Sequence, residues 1–302
     1  MGNNKKNKGH LKKSNALIIF GVVIGILAAV IFFKYYHAEE KIKKVEEIKE
    51  AETIPSISKI EEKPLEIEAS KPLPEVIEKI KPKIAIVIDD MGQDIKQLRE
   101  LLGVDIPITI AILPFLPHSK DVAEEADKNN MEILLHIPME PKDIKNNNPG
   151  KGAILSTMPE DKIYDTLLKD IEAVPHIKGV NNHMGSKLTE DEARIRIVLK
   201  AVKQKNLFFL DSKTTAKSLA YKIAKEIGLN AAQRQIFLDN EQDVSYIKNQ
   251  ITELIKMAKK NGSAIAIGHP HPSTFAAIKE MASELKSEEI EVVSVSQLTA
   301  LQ

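Results

Sequence analysis

Short apolar runs recur at a regular interval along the last two thirds of the chain. Apart from one longer gap, successive runs start about 24 to 29 residues apart, which is the length of a strand, a loop and a returning helix. Runs without polar alternation are typical of parallel strands that are buried on both faces. The pattern predicts a distorted (β/α) barrel of seven or eight strands over residues 83–302, with a doubly wound open sheet as the alternative. The runs are IAIVI (84–88), ITIAIL (108–113), EILLHI (132–137), GVNN (179–182), LFFL (207–210), QIFL (235–238), AIAIG (264–268) and EVVSV (291–295).

The segments between the runs carry the features of helices and loops. Two T-x-x-E sequences, beginning at Thr157 and Thr189, predict helix N-termini closed by capping boxes. Gly103 and Gly228 lie where helices are expected to end. The polar segment PKDIKNNNPGKG (141–152) predicts a loop after the third strand, at the end of the sheet where functional loops gather in α/β folds.

The first 82 residues have a different composition. Residues 1–15 are basic, and residues 16–36 begin with 18 uncharged, mostly apolar residues. At about 1.5 Å per residue, these nearly span a hydrocarbon core of roughly 30 Å. The flanking lysines predict a single transmembrane anchor with a cytoplasmic N-terminus, which places the rest of the chain outside the cytoplasm, in a periplasm or at the cell surface. A cleaved signal peptide is the competing interpretation. Residues 37–82 are charged and interrupted by prolines, which predicts a linker.

Composition excludes several classes of function. The 302 residues include 43 basic and 43 acidic side chains, and a net charge of zero argues against nucleic-acid binding. Cysteine is absent, so a transition-metal site must use His, Asp or Glu. The chain has no G-x-S-x-G nucleophile elbow, no G-x-G-x-x-G fingerprint and no P-loop.

Polar side chains follow most of the apolar runs. The carboxyl ends of parallel strands meet at one rim, where active sites form in α/β folds. Each residue alone has an ordinary explanation as a turn, cap or hydrogen-bonded core residue, and Asp239 and Asp243 are interpreted as turn and helix-start residues. Together, however, the residues at the rim predict a site. They are Asp89 and Asp90, His136 and Glu140, Asn181, Asn182 and His183, Asp211 and Ser212, and His269 and His271.

Asp89 and Asp90 raise a specific problem, because adjacent carboxylates repel each other and a buried charge is costly. A divalent cation resolves it if one carboxylate binds the cation and the other takes a proton from water. One Asp and two His around an open position form a hydrolytic metal pattern, and a further histidine can protonate the leaving group. A glycosidase pair fits less well, because its carboxylates stand roughly 5 Å or more apart across a sugar.

Five short sequences occur in order at the expected strand ends: IDDMG, LLHIPME, NNHMGS, FFLDSKT and IGHPHP. The first, within IAIVIDDMG, resembles the T-F-D-D-G motif of polysaccharide deacetylases with the NodB homology domain. The whole set more closely resembles the divergent polysaccharide deacetylase family, over about residues 83–298. This resemblance implies a glycoside hydrolase/deacetylase-like barrel and a metal-dependent hydrolase.

The resemblance also implies roles for the matching residues. Asp89 corresponds to the catalytic base, Asp90 and His136 to metal ligands, and His269 to the catalytic acid. The family's H-x-x-x-H arrangement is here His136-x-x-x-Glu140, and its R-x-P-Y motif is missing. His183 is therefore the candidate for the remaining ligand, with Glu140 as the runner-up. Residues expected to bind substrate or to support the ligands are Glu140, Asn182, Asp211 and His271.

The function expected from these observations is that of a membrane-anchored enzyme outside the cytoplasm. It would use a divalent metal, expected to be zinc, to remove N- or O-acetyl groups from a cell-envelope glycan. Because two motif elements depart from the family pattern, the alternative is a catalytically inactive envelope protein that binds a glycan or a protein partner.

Overall fold

The computed structural model describes residues 81–286 and 289–299. The predicted membrane anchor and nearly all of the predicted linker lie outside these residues. Within the described ranges, no helix is both long and apolar enough to cross a membrane.

Nine strands and seven α-helices alternate along most of the described chain. The strands are β1 (Lys83–Met91), β2 (Thr109–Ile112), β3 (Glu132–Met139), β4 (Gly179–Met184), β5 (Phe208–Asp211), β6 (Ala231–Gln233), β7 (Ile236–Phe237), β8 (Ser263–Gly268) and β9 (Glu291–Val292). The helices are α1 (Ile95–Leu102), α2 (Ser119–Lys128), α3 (Glu160–Ala173), α4 (Glu192–Gln204), α5 (Ala220–Glu226), α6 (Val244–Asn261) and α7 (Pro272–Leu285). Two short 3-10 turns, Leu188–Glu190 and Val295–Leu298, complete the set.

The sheet is wholly parallel and follows barrel order. Its path runs β6-β5-β4-β3-β2-β1-β8-β7, and β9 pairs with the start of β1. Among the described residues no ladder joins β6 to β7, but the two strands are consecutive in the chain. Segment 231–237 therefore pairs with β5 at its beginning and with β8 at its end. The predicted parallel (β/α) fold is confirmed, and the break between β6 and β7 makes it an open variant of the predicted barrel.

Two separate apolar clusters explain why the runs lack polar alternation. The larger one takes alternate strand residues, such as Ile84, Ile86 and Ile88, and packs them against the helices. The smaller one takes the residues between them, including Ala85, Val87 and Leu134, and lies on the opposite face of the strands. Strands β1, β2, β3 and β5 are thus buried on both faces, as expected for strands of a parallel sheet, whereas the short β9 is partly exposed.

The two predicted capping boxes are wrong. Helix α3 begins after Pro159, which has no side chain able to cap it, and Thr157 precedes the helix. Helix α4 is capped by Asp191, whose carboxylate accepts a hydrogen bond from Arg194 N, while the Thr189 hydroxyl donates to Gly185 O within the preceding turn. The predicted helix end at Gly103 is confirmed, since this residue is the C-cap of α1.

Candidate active site

The end of β1 turns both adjacent carboxylates toward one side of the sheet. The pairing with β2 shifts by one residue between Ile88 and Met91, which is the mark of a β-bulge. Asp90 lies within the bulge and has a φ of 56°, a left-handed conformation that Asp tolerates better than most residues. Asp89, two residues after Val87, continues the inner face of the strand. The bulge therefore lets neighbours in sequence serve the same site.

Asp90, His136 and His183 converge on one point. Asp90 Oδ1 lies 2.8 Å from His183 Nδ1 and 3.2 Å from His136 Nε2, and the two ring nitrogens lie 3.2 Å apart. A cation bound tetrahedrally at 2.0–2.2 Å holds neighbouring ligand atoms about 3.3 Å apart. The buried Asp90 Oδ1 also has no aligned hydrogen-bond donor among the described residues. These three donors fit a divalent transition metal, and an oxygen without a donor is what such a cation would satisfy.

Asn181 fixes the orientation of the His136 ring in this triangle. Its amide Nδ2 donates to Asp89 Oδ1 at 2.7 Å, which leaves its Oδ1 to accept from His136 Nδ1, also at 2.7 Å. The Nε2 atom of His136 is therefore the ring nitrogen that faces Asp90 and His183, where its lone pair would be available to a cation. Hydrogen bonds of this kind fix the tautomer and the ring orientation of histidine ligands.

The pKa values of the two carboxylates shift in opposite directions. Burial raises the pKa of Asp89, although the nearby charges of His136 and His269 partly oppose the increase. Burial also acts on Asp90, but the close contacts with His136 and His183 outweigh it and hold the pKa of Asp90 well below its usual range. Asp90 is thus the natural ligand for a cation, whereas Asp89 can accept a proton more readily than an ordinary aspartate.

His269 is held by a buried carboxylate at the end of β7. Asp239 Oδ1 lies 3.0 Å from His269 Nδ1, and Asp239 Oδ2 accepts hydrogen bonds from His269 N and from the Thr274 hydroxyl. Burial lowers the pKa of His269, but the bond to Asp239 and the charge of Asp89 outweigh it and raise the pKa to about 9. This pKa favours the protonated imidazole at neutral pH, and Nε2 is the ring nitrogen that does not face Asp239.

A cavity of about 430 Å³ connects these groups. The predicted loop after β3 is confirmed, and it supplies part of the wall through Pro141, Lys142, Asp143 and Asn147. Phe237 supplies an apolar side, and the Arg234 guanidinium lies 3.6 Å from the centroid of its ring. The lining also includes Asp89, Asp90, His136, Asn182, His183, Ser212, Thr214 and His269.

Two of the predicted supporting residues are engaged away from the triangle. Glu140 forms an ion pair with Lys187 at 2.7 Å and accepts a hydrogen bond from Ser156 N. Asp211 accepts hydrogen bonds from Lys213 N, Ser218 Oγ and Tyr221 N, and thereby shapes the loop that leads into α5. The structure therefore does not bring Glu140 to the metal cluster as the runner-up ligand, since Lys187 already neutralises it.

The other two predicted supporting residues lie closer. Asn182 lines the cavity while it joins β4 to β5, because its Oδ1 accepts from Ser212 N and its Nδ2 donates to Met184 O. His271 is the N-cap residue of α7, and its ring centroid lies 6.1 Å from that of His269. Asp243 caps α6 as expected. Asp239, by contrast, is not the turn residue that the sequence predicts but the hydrogen-bond partner of His269.

The fold and the site define a parallel (β/α) protein whose polar centre lies at the carboxyl ends of the strands. The chain belongs to the divergent polysaccharide deacetylase family, whose model matches residues 86–299. The predicted family is thereby confirmed.

Two relatives and one solved structure extend this similarity. The uncharacterized protein YibQ of Escherichia coli is 36% identical over 216 residues, which cover 72% of this chain and 67% of YibQ. An uncharacterized protein of Haemophilus influenzae is 37% identical, covering 72% of this chain and 76% of its own length. The crystal structure of an uncharacterized protein from Agrobacterium tumefaciens C58 matches with a TM-score of 0.69 and 27% identity, over 72% of this chain and 89% of that chain.

Proposed function

We propose that this protein is a metal-dependent deacetylase of a cell-envelope polysaccharide, held at the outer side of the membrane by its N-terminal segment. The observation that carries the proposal is the triangle of Asp90 Oδ1, His136 Nε2 and His183 Nδ1, with sides of 2.8 to 3.2 Å. It opens on a cavity that is also lined by Asp89 and His269. The apolar run before residue 34 and the lysines around it support the membrane anchor.

The chain supplies the groups that acetyl hydrolysis requires. Asp90, His136 and His183 would hold a divalent cation, with zinc favoured because the donors are imidazole and carboxylate. When bound, such a cation polarises the acetyl carbonyl and makes water more acidic. Asp89 takes a proton from the attacking water, and its raised pKa suits a group that must accept one.

His269 acts on the other side of the reaction. The leaving nitrogen or oxygen of the sugar takes a proton from His269 as its bond to the acetyl carbon breaks. A histidine with a pKa of about 9 carries that proton at neutral pH, and Asp239 stabilises the charged form. The products are acetate and a free amine or hydroxyl. Proton exchange with water then restores both residues.

The test combines metal analysis with acetate release from acetylated glycans, using the full chain prepared without chelators. Wild-type protein should hold about one equivalent of metal. Asp90→Asn should lose it, and this change suits the backbone because Asn also tolerates a φ of 56°. Asp89→Asn should keep the metal and lose acetate release by about 10²- to 10⁴-fold. Asp121→Asn is the matched control, since Asp121 lies on the surface beside His118.

Two results would contradict the proposal. One is a wild-type chain that takes up no metal even when zinc is supplied. The other is turnover that survives Asp89→Asn. Glycan binding with bound metal but without acetate release would instead favour the inactive, glycan-binding alternative.

A further inference from the structure

A second group of ligand-type side chains lies beside the cavity. Asp239, His269 and His271 each offer one ligand atom, and these three atoms lie within 4.8 Å of one another. Asp239 follows β7 and is 7% exposed, while both histidines follow β8 and are half-buried. His269 is the member of this group that also lines the cavity described above.

Local backbone contacts fix the main chain at the two histidines. His271 N donates to His269 O at 2.7 Å, so residues 269–271 form a tight turn. Pro270 lies between them and Pro272 begins α7, and each proline fixes its own φ. Because the backbone on either side of both rings is already fixed, less conformational entropy is lost when a ligand arrives.

The proton transfer proposed above does not require His271. The hydrogen bond between Asp239 and His269 is complete without it. The His271 Nε2 atom lies 3.2 Å from the Gln242 amide at the surface, so the ring is reachable from solvent. One carboxylate with two imidazoles is a donor set that prefers Zn²⁺, Co²⁺, Ni²⁺ or Cu²⁺ over Mg²⁺ or Ca²⁺.

We propose that Asp239, His269 and His271 form a second, weaker binding site for a transition-metal dication. A cation there replaces the proton shared by Asp239 Oδ1 and His269 Nδ1. Because that bond involves a charged group and is worth about 1.5–3 kcal/mol, binding should be about 10- to 100-fold weaker than at Asp90, His136 and His183. On the proposed function, occupation also withdraws His269 from proton donation, so excess zinc inhibits.

The test is a calorimetric titration of the metal-free full chain with Zn²⁺. Wild-type protein should show two equivalents of unequal affinity. His271→Ala should lose the weaker equivalent and keep the tighter one, and His183→Ala should do the reverse. His118→Ala, which removes an exposed histidine paired with Asp121, should keep both. His271→Gln serves as the second variant if His271→Ala does not fold.

The proposal is overturned if every equivalent that wild-type protein binds is lost in His183→Ala, or if the weaker equivalent survives both His271→Ala and His271→Gln. Failure of the proposed function would look different, because wild-type protein would then lack the tighter equivalent that His183→Ala is expected to remove. Acetate release should fall as zinc fills the weaker site. If turnover does not change as that site fills, only the inhibitory role is refuted.

Discussion

The proton on His269 depends on Asp239, and Asp239→Asn should therefore change the pH dependence of the site. The carboxylate stabilises the charged imidazole through a 3.0 Å contact with Nδ1, and this helps to raise the pKa of His269 to about 9. Asparagine is nearly isosteric, and its oxygen can still accept from His269 N and Thr274. Its amide nitrogen then faces Nδ1, where it can donate only to a neutral ring.

The size of the effect follows from the lost bond. A hydrogen bond to a charged group contributes about 1.5–3 kcal/mol, and one pKa unit corresponds to about 1.36 kcal/mol. The pKa of His269 should therefore fall by about one to two units in Asp239→Asn. Since the protonated ring is the active form, activity should be lost at a correspondingly lower pH than in wild-type protein.

The assay reads His269 directly by an NMR titration of the metal-free chain and indirectly by the pH profile of acetate release. Asp243→Asn is the matched control from the same loop, because Asp243 caps α6 by accepting from Tyr246 N and asparagine is an equally good N-cap. A folded Asp239→Asn protein whose His269 still titrates near 9 would refute the argument.

Three further predictions concern the supporting structure. Asn181→Ala should weaken zinc binding about 10- to 100-fold by equilibrium dialysis, because His136 loses its orienting acceptor; unchanged affinity would contradict this. Gly152→Ala should lower the free energy of unfolding, measured in urea, by about 1–3 kcal/mol more than Gly150→Ala does. Both have positive φ, but only at 152 would an added Cβ lie 2.3 Å from Asp170 Oδ1, so equal losses would refute the packing argument. Burial raises the pKa of Asp170 from 3.8 to about 8, and neither of its oxygens has a partner among the described residues. The free energy of unfolding should therefore fall by a few kcal/mol as pH rises from about 4 towards 8. Asp170→Asn should abolish this slope in denaturation curves taken across that range.

The strands were predictable because burial on both faces leaves an unmistakable run of apolar residues. Each of the eight runs overlaps a strand, although β9 takes up only the first two residues of EVVSV. Strand β6 was missed because Ala231–Gln233 is short and has no β-branched or aromatic residue. The capping boxes failed because a T-x-x-E spacing does not say which of several polar residues ends the turn, and Asp191 competes with Thr189 for that position.

The sequence predicts that the site lies at the strand ends, but it does not predict the contacts of every side chain there. Strand alternation separates the neighbours Asn181 and Asn182: Val180 faces the helices, so Asn181 faces the other way, towards the site. The same rule places Asp211 with Phe209 on the helix side. Asp239 could not be found in this way, because it lies in a loop beyond β7 and meets His269 only through the fold.

The position of His183 explains how a site can be complete without the second histidine of H-x-x-x-H. Strands β3 and β4 are parallel and in register, with His136 opposite Asn181 and Pro138 opposite His183. His183 therefore lies two residues nearer the carboxyl end than His136, on the same face of the sheet, and β4 offers a donor at the level where β3 has Pro138. Glu140 is then free to bind Lys187 and Ser156 and to fix the loop that walls the cavity. Ladder register, more than spacing within one motif, decides which side chains can share a cation. If this is correct, Glu140→Gln should keep the tighter metal equivalent while His183→Gln loses it, and loss of that equivalent in Glu140→Gln would show that β3 supplies a second ligand.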